Sequence, residues 1–257
     1  MKIETILTPA ELPALAQRDL RATACVVFDI LRATSTFVTA LQNGAEKIIP
    51  VSEIAEAVAF KNAECGMQNA ETILLAGERD GLKISAAQSG GVDFDLGNSP
   101  REFTPEKVRG KTIVSTTTNG TRALRACAGA KNILAGSFLN LAATANFLKL
   151  RQAEEILLVG AGTGAGVALE DVLAAGALVE MLTNQANARP AVSDSAEIAL
   201  QTFLQAKTNL AAALARSQNA RRLLAIPDLR ADVAFCSQRD IFNLVAEMQT
   251  DEAIRLV

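Results

Sequence analysis

Short apolar runs rich in Val, Ile and Leu punctuate the chain at 24–28, 46–51, 72–76, 112–115, 132–135 and 155–159. Runs of four to six such residues, bounded by turn formers, read as buried strands. Between them, alanine-rich stretches with helical spacing predict helices over 34–42, from an N-cap at Ser52 to Cys65, over 121–128, between 135 and 155, and over 169–182. From 194 to 224 the pattern is almost wholly helical. Strand–helix alternation of this kind predicts an α/β fold with a largely parallel sheet covered on both faces. No short-period repeat divides the 257 residues, which read as one continuous domain (1–257) with a minor break near 184–190. The stretch 77–105 carries five glycines and little periodicity, and loops that long in compact domains tend to be functional or disordered.

Composition narrows the chemistry. The formal net charge is −3 and no basic tract interleaves with aromatics, so no nucleic-acid partner is expected. The glycine-rich apolar stretch 156–169 is too short and too soon charged to span a bilayer, and the opening MKIETILTPAEL lacks the apolar core of a signal peptide. Cys25, Cys65, Cys127 and Cys236 have no paired zinc-type spacing and read as free thiols of a reducing compartment. Histidine is absent, which removes Ser-His-Asp and Cys-His nucleophile pairs, phosphohistidine chemistry and imidazole metal sites. Hydrolysis by this chain must rest on carboxylates, hydroxyls, arginines and a metal held by oxygen, which suits Mg²⁺ or Mn²⁺.

In open α/β sheets, ligands bind outside the carboxyl ends of strands. Those ends carry Asp29, Arg32, Glu78, Arg79, the threonine-rich stretch from Thr116 to Thr121, and Glu170-Asp171, while Asp95, Asn98 and Ser99 lie in the long loop. Asp29, directly after a strand, suits a metal ligand or nucleophile and equally a helix N-cap. Arg32 can grip an oxyanion with two parallel donors. Thr116, Thr117, Thr118 and Thr121 offer hydroxyls, Asn119-Gly120 permits an amide-exposing turn, and the following helix points its positive end at the same place. Glu170-Asp171 opens a helix, where acids are favoured by its dipole, and also has the character of a Mg²⁺ ligand pair.

Two familiar signatures fail or stay weak. The haloacid-dehalogenase pattern needs a second Asp two residues after the first, and Asp29 is followed by Ile30-Leu31. Gly160-Ala-Gly162-Thr-Gly164-Ala165 fits the dinucleotide fingerprint on paper, but it follows the sixth predicted strand rather than the first. A nucleotide-binding oxidoreductase built on the 160–166 loop is therefore one rival. A non-catalytic anion-binding homologue is the other.

Taken together, VVFDILRATSTFVTALQNGA (26–45), LLAGERDGLKI (74–84), FDLGNSPREFT (94–104), KTIVSTTTNGTRAL (111–124), GSFLN (136–140) and ALEDVLAAGALVE (168–180) resemble the 2-phosphosulfolactate phosphatase family, the ComB-like proteins. The resemblance implies a three-layer α/β/α sandwich and a cytoplasmic, Mg²⁺-dependent phosphoric monoester hydrolase, with a homodimer as the assembly. The implied reaction takes (2R)-phosphosulfolactate to (2R)-3-sulfolactate and phosphate, a step towards coenzyme M. On that expectation Mg²⁺ is held by Asp29 and by Glu170 or Asp171. Arg32, Arg79, Asn98, Ser99 and the Thr116–Thr121 donors, with Asn119 and Gly120 among them, bind the small anionic phosphorylated substrate, and Glu78 or Asp95 moves the proton. Compared with the family pattern, the chain inserts residues 85–92.

Overall fold

A computed structural model describes residues 1–15, 17–64, 72–184 and 190–257. The strands are β1 (Lys2–Ile6), β2 (Thr23–Phe28), β3 (Lys47–Pro50), β4 (Ile73–Arg79), β5 (Leu82–Lys83), β6 (Thr112–Thr116), β7 (Asn132–Gly136), β8 (Glu155–Gly160), β9 (Ala191–Val192), β10 (Ala246–Met248) and β11 (Ile254–Leu256). The helices are α1 (Leu12–Leu15), α2 (Ala33–Gln42), α3 (Ile54–Glu64), α4 (Ala86–Ser89), α5 (Pro105–Val108), α6 (Gly120–Ala126), α7 (Leu141–Leu150), α8 (Leu169–Thr183), α9 (Asp194–Ala206), α10 (Leu210–Leu214), α11 (Gln218–Ala225) and α12 (Arg230–Cys236).

All the strands join one sheet in the order β5-β4-β6-β3-β11-β10-β7-β2-β8-β1-β9. It is α/β, as expected, and its parallel character is confined to two blocks. Within β4-β6-β3 and within β7-β2-β8-β1-β9 every pairing is parallel. The tail hairpin β10–β11 sits between the blocks and pairs antiparallel with β7, with itself and with β3. Three successive antiparallel steps mean that the two blocks run in opposite senses.

Strand alternation sorts the core. Val26 and Phe28 of β2 face α7 to α12, together with Leu134, Ile156 and Leu158. Cys25 and Val27 face the other way, onto α2 and α6, with Ile48, Ile113 and Val159. A smaller cluster, Val51, Ala57, Ile73, Leu75, Ile84, Phe94 and Val114, fills the space between α3 and the β4–β6 edge. Helices therefore cover the sheet on both faces, as an α/β sandwich requires.

The tail hairpin and β1 are strands that periodicity did not predict. β10 and β11 have three residues each, too few for a period to register. β4 runs on through Gly77, Glu78 and Arg79, beyond the predicted 72–76. Gly77 lies within the strand, and the position needs glycine because a β-carbon there would lie 2.3 Å from the Thr116 carbonyl oxygen on β6. Nor does Ser52 cap α3. The helix starts at Ile54, and the Glu56 carboxylate takes the N–H groups of Ser52 and Glu53 at 2.7 and 3.1 Å. Its predicted end at Cys65 and most of the expected break at 184–190 lie outside the described residues. The inserted 85–92 stretch forms α4, held by a Ser85–Gln88 capping box.

Candidate active site

A cleft of about 360 Å³ opens where the loops after β2, β4, β6 and β8 meet α11. β2 and β6 belong to blocks of opposite sense and are separated by five steps across the sheet. Strand twist of roughly 20–25° per step accumulates to roughly 100–125° over that distance. That rotation brings carboxyl ends that would diverge in a flat sheet towards one opening. The contact is direct: a β-carbon on Gly120 would lie 2.6 Å from Asp29 Oδ2 and 2.6 Å from Ala33 Cβ. Only glycine permits α6 to begin so close to the Asp29 turn.

Asp29 leaves β2 with its backbone N–H on the Thr34 hydroxyl, and its Oδ1 accepts the N–H of Ala33 at the start of α2. The aspartate thus takes the first helical N–H while facing the cleft, although Arg32, not Asp29, stands at the N-cap of α2. Burial pushes its carboxyl up to about 7, and the charges of Glu78 and Glu170 add to the rise. Behind it lie Glu170 and Asp171, in the first turn of α8 and both almost fully buried. Asp171 accepts the backbone N–H groups of Ile30 and Gly162, at 2.9 and 3.0 Å, so it ties the β2 and β8 loops together. Its carboxyl is raised well above the usual range, first by burial and then by Glu170 and Asp29. Glu170 accepts from Asn219 on α11 through Oε1 at 2.7 Å, whereas its buried Oε2 has no hydrogen-bond partner. Buried polar atoms are rarely left in this state.

Glu78 answers what the threonine-rich loop cradles. Its Oε1 accepts both the backbone N–H and the hydroxyl of Thr118 at 2.9 Å, and its Oε2 accepts the Gly81 N–H at 2.7 Å. The anion in the nest is a carboxylate of the chain itself. Thr117 and Thr121 satisfy each other, with the Thr121 N–H on the Thr117 hydroxyl and the Thr121 hydroxyl on the Thr117 carbonyl. Thr116 is engaged by Arg79 and bonds to the Ser52 carbonyl. Asn119 donates to the Gly162 carbonyl at 2.7 Å. Of this loop, Thr118 and Asn119 line the cleft.

The predicted residues therefore divide. Asp29, Arg32, Glu78, Asn98, Thr118 and Asn119 line the cleft. Arg79 does not. Alternate residues of a strand point to opposite faces, so with Glu78 facing in, Arg79 turns out to Thr116 and the Glu78 carbonyl. Asp95 is also elsewhere: it accepts the Leu75 N–H and the Lys61 ammonium at 2.8 and 2.9 Å, pinning the long loop to β4. Arg32 is 3% exposed and follows a cis Leu31–Arg32 peptide. Its guanidinium donates to Asp232 of α12 at 2.8 Å and to the Gly81 carbonyl at 2.6 Å. Ser99 donates to the other Asp232 oxygen at 2.7 Å. Asp232 was missed in the sequence, although an acid inside Ala231–Cys236, an otherwise apolar run, is itself a sign of a buried partner. Asp80, between β4 and β5, lines the cleft too, and Gln218, Asn219 and Arg222 of α11 were missed. The polar face they form on α11 looks like a solvated helix until its position is known.

The glycine loop is a closed turn rather than a dinucleotide cradle. Thr163 and Gly166 exchange backbone hydrogen bonds, the Gly162 N–H is spent on Asp171, and α8 begins only at Leu169. A fingerprint loop would lead its last glycine straight into the helix.

A family model described as 2-phosphosulpholactate phosphatase matches residues 7–251. The chain belongs to this family. Its relatives bear the same name: a probable 2-phosphosulfolactate phosphatase of Thermotoga petrophila is 42% identical over 86% of both chains. Those of Caldanaerobacter subterraneus subsp. tengcongensis and Carboxydothermus hydrogenoformans are 38% and 36% identical, covering 92% of both chains and 100% and 97% of the two chains, respectively. Membership places the chain among phosphoric monoester hydrolases. Among the described residues, no helix is long and apolar enough to cross a membrane, and no three Asp, Glu or Cys side chains are grouped to hold a metal ion by themselves.

Proposed function

We propose that the protein hydrolyses (2R)-phosphosulfolactate to (2R)-3-sulfolactate and phosphate with the help of Mg²⁺, as a cytoplasmic homodimer serving coenzyme M-type metabolism. The observation that carries the cation requirement is the excess of acid in the cleft. Asp29, Glu78 and Asp80 face it, and Glu170 and Asp171 stand behind, against the cations Arg32 and Arg222. Burial and mutual repulsion raise the carboxyls of Asp29 and Asp171, and a divalent cation would let these acids ionise while offsetting the charge of a phosphate dianion. Mg²⁺ binds through one or two carboxylates and keeps several waters, so the small donor set fits it. Asp29 and the unpartnered Oε2 of Glu170 are the residues that would hold it, while Asp171 fixes the loops around them.

When bound, Mg²⁺ supplies charge neutralisation on the phosphoryl oxygens. The chain supplies the rest. In the metal-free chain burial raises the Asp29 carboxyl to about 7, so taking up Mg²⁺ there would release a proton. Glu78, which also faces the cleft, is the carboxylate left to move the proton between water and the leaving oxygen. Glu78 is held in one orientation by three donors and keeps the Thr118 loop in place. Arg32 presents fixed positive charge at the cleft wall.

Phosphate release from phosphosulfolactate is the test. Release should require Mg²⁺, stop with EDTA and be lost in Asp29→Asn; undiminished turnover in EDTA sinks the metal reading, and full activity in Asp29→Asn removes that residue from the chemistry.

A further inference from the structure

The cleft has two unlike walls. One is made of acids at strand ends. The other is α11, which contributes Gln218, Asn219, Arg222 and Leu223, with Ile226 just beyond it. Asn219 anchors this helix to the acid wall through Glu170 and Thr163, both at 2.7 Å. Arg222 lies three residues further, about 4.5 Å along the helix axis, on the same cleft-facing side. A compact acid of two or three carbons spans such an offset.

The positive charges of the cleft are not equivalent. Arg32 is buried and already donates to Asp232 and Gly81. Arg79 faces away. Arg222 lines the cleft, is solvent-exposed, and its guanidinium has no hydrogen bond or ion pair to any described residue. Its neighbour Arg221 is equally exposed but does not line the cleft. An uncommitted guanidinium beside a concentration of carboxylates is positioned for an oxyanion carried in by a ligand, and its planar fork suits carboxylate and sulfonate alike.

Resting on the phosphatase reading above, we infer that Arg222 is the specificity-determining residue that grips the substrate's second, non-transferred oxyanion, while the phosphoryl group sits against the acid wall. The preferred substrates are then small phosphate monoesters bearing a further carboxylate or sulfonate. Esters with no second anion bind through the phosphoryl group alone.

Steady-state kinetics of wild type, Arg222→Ala, Arg222→Lys and the neighbouring control Arg221→Ala test this on phosphosulfolactate, 2-phospholactate and an aryl phosphate. In Arg222→Ala, KM for the acids should rise about 10- to 100-fold, the range expected for one charged hydrogen-bonded contact, with kcat within about threefold. The aryl phosphate should lose less than about threefold in kcat/KM, Arg222→Lys should recover part of the loss, and Arg221→Ala should resemble wild type. A loss confined to phosphosulfolactate assigns Arg222 to the sulfonate, and one shared with phospholactate assigns it to the carboxylate. Equal losses on all three substrates, or none, overturn the inference. Calorimetric binding of 3-sulfolactate needs no turnover. If binding weakens in Arg222→Ala while wild type hydrolyses nothing, the Arg222 assignment stands and the phosphatase reading falls.

Discussion

Replacing Asp232 by Asn should be among the most damaging single changes in the molecule, although Asp232 lies on α12 and is absent from the cleft lining. The side chains of Arg32 and Asp232 are 3% and 0% exposed and meet at 2.8 Å. Removing one partner of a buried pair strands the other charge, at a cost of about 3–5 kcal/mol. The Gly81 carbonyl, at 2.6 Å, leaves Arg32 one neutral acceptor and no ion-pair partner, with only the through-space charge of Asp29 to offset it. The converse change, Arg32→Met, should cost less, because Asp232 keeps the Ser99 hydroxyl at 2.7 Å and the half-exposed Arg101 at 3.7 Å. In urea, with a slope of about 3 kcal/mol per M, the Asp232→Asn midpoint should fall by about 1 to 1.7 M. The double change Arg32→Met/Asp232→Leu removes both charges and should recover most of that stability without recovering phosphate release. A loss below about 1 kcal/mol for Asp232→Asn, or equal costs for the two single changes, would refute the reasoning.

Three further outcomes follow from the same contacts. The folded Asp29 carboxyl sits near 7 against an unfolded value of about 3.9, and Asp171 is shifted the same way, so the folded chain binds more protons between those values. The Asp29 contribution is full below about pH 4 and lost as pH rises through 7, and that of Asp171 is lost as pH rises through its own raised value. The Tm in EDTA should therefore fall between pH 5 and pH 8, and a flat or rising curve contradicts the burial of these acids. Gly120→Ala forces a β-carbon against Asp29 Oδ2 and Ala33, so it should cost about 1–3 kcal/mol and lower kcat at least tenfold; wild-type kcat would show that the Asp29 position is not critical. Asp95→Ala forfeits the bond to the Leu75 N–H and should destabilise by about 1 kcal/mol with kcat/KM within twofold, whereas a tenfold loss of kcat would return Asp95 to the chemistry.

How far the sequence could be read depended on where each signal resides. β2, β6, β7 and β8 lie within one or two residues of their predictions, because unbroken apolar runs have few alternatives to a buried strand. Gly77 misled because glycine usually marks a turn, and its real cause, the approach of the Thr116 carbonyl, lies on another strand. The same limit applied at the site. Hydroxyls and amides on 116–121 advertised an anion cradle, but which anion they hold depends on Glu78, some forty residues away in sequence. Asp29 and Glu78 were legible from their places at strand ends. Asp232 and Arg222 were not, because α12 reaches Arg32, and α11 the cleft, only through tertiary packing.

The reversal of strand sense is the feature that most constrains how this site is built. A single parallel sheet offers one rim and a crevice at a topological switch point. Here the two parallel blocks oppose each other, and the turning sheet directs the loop after β2 and the loops after β4 and β6 into one opening from different sides. The hairpin β10–β11 makes that possible by pairing with both blocks, yet none of its residues lines the cleft. Its Ala246 and Ile254 are buried in the same cluster as Phe37 of α2 and Leu124 of α6, the helices that start at Ala33, just after the Asp29 turn, and at Gly120. The tail therefore supports the site indirectly, by joining the two blocks and packing in one core with α2 and α6. A change there that preserved the fold but altered the pairing would separate Asp29 from Glu78 without touching either.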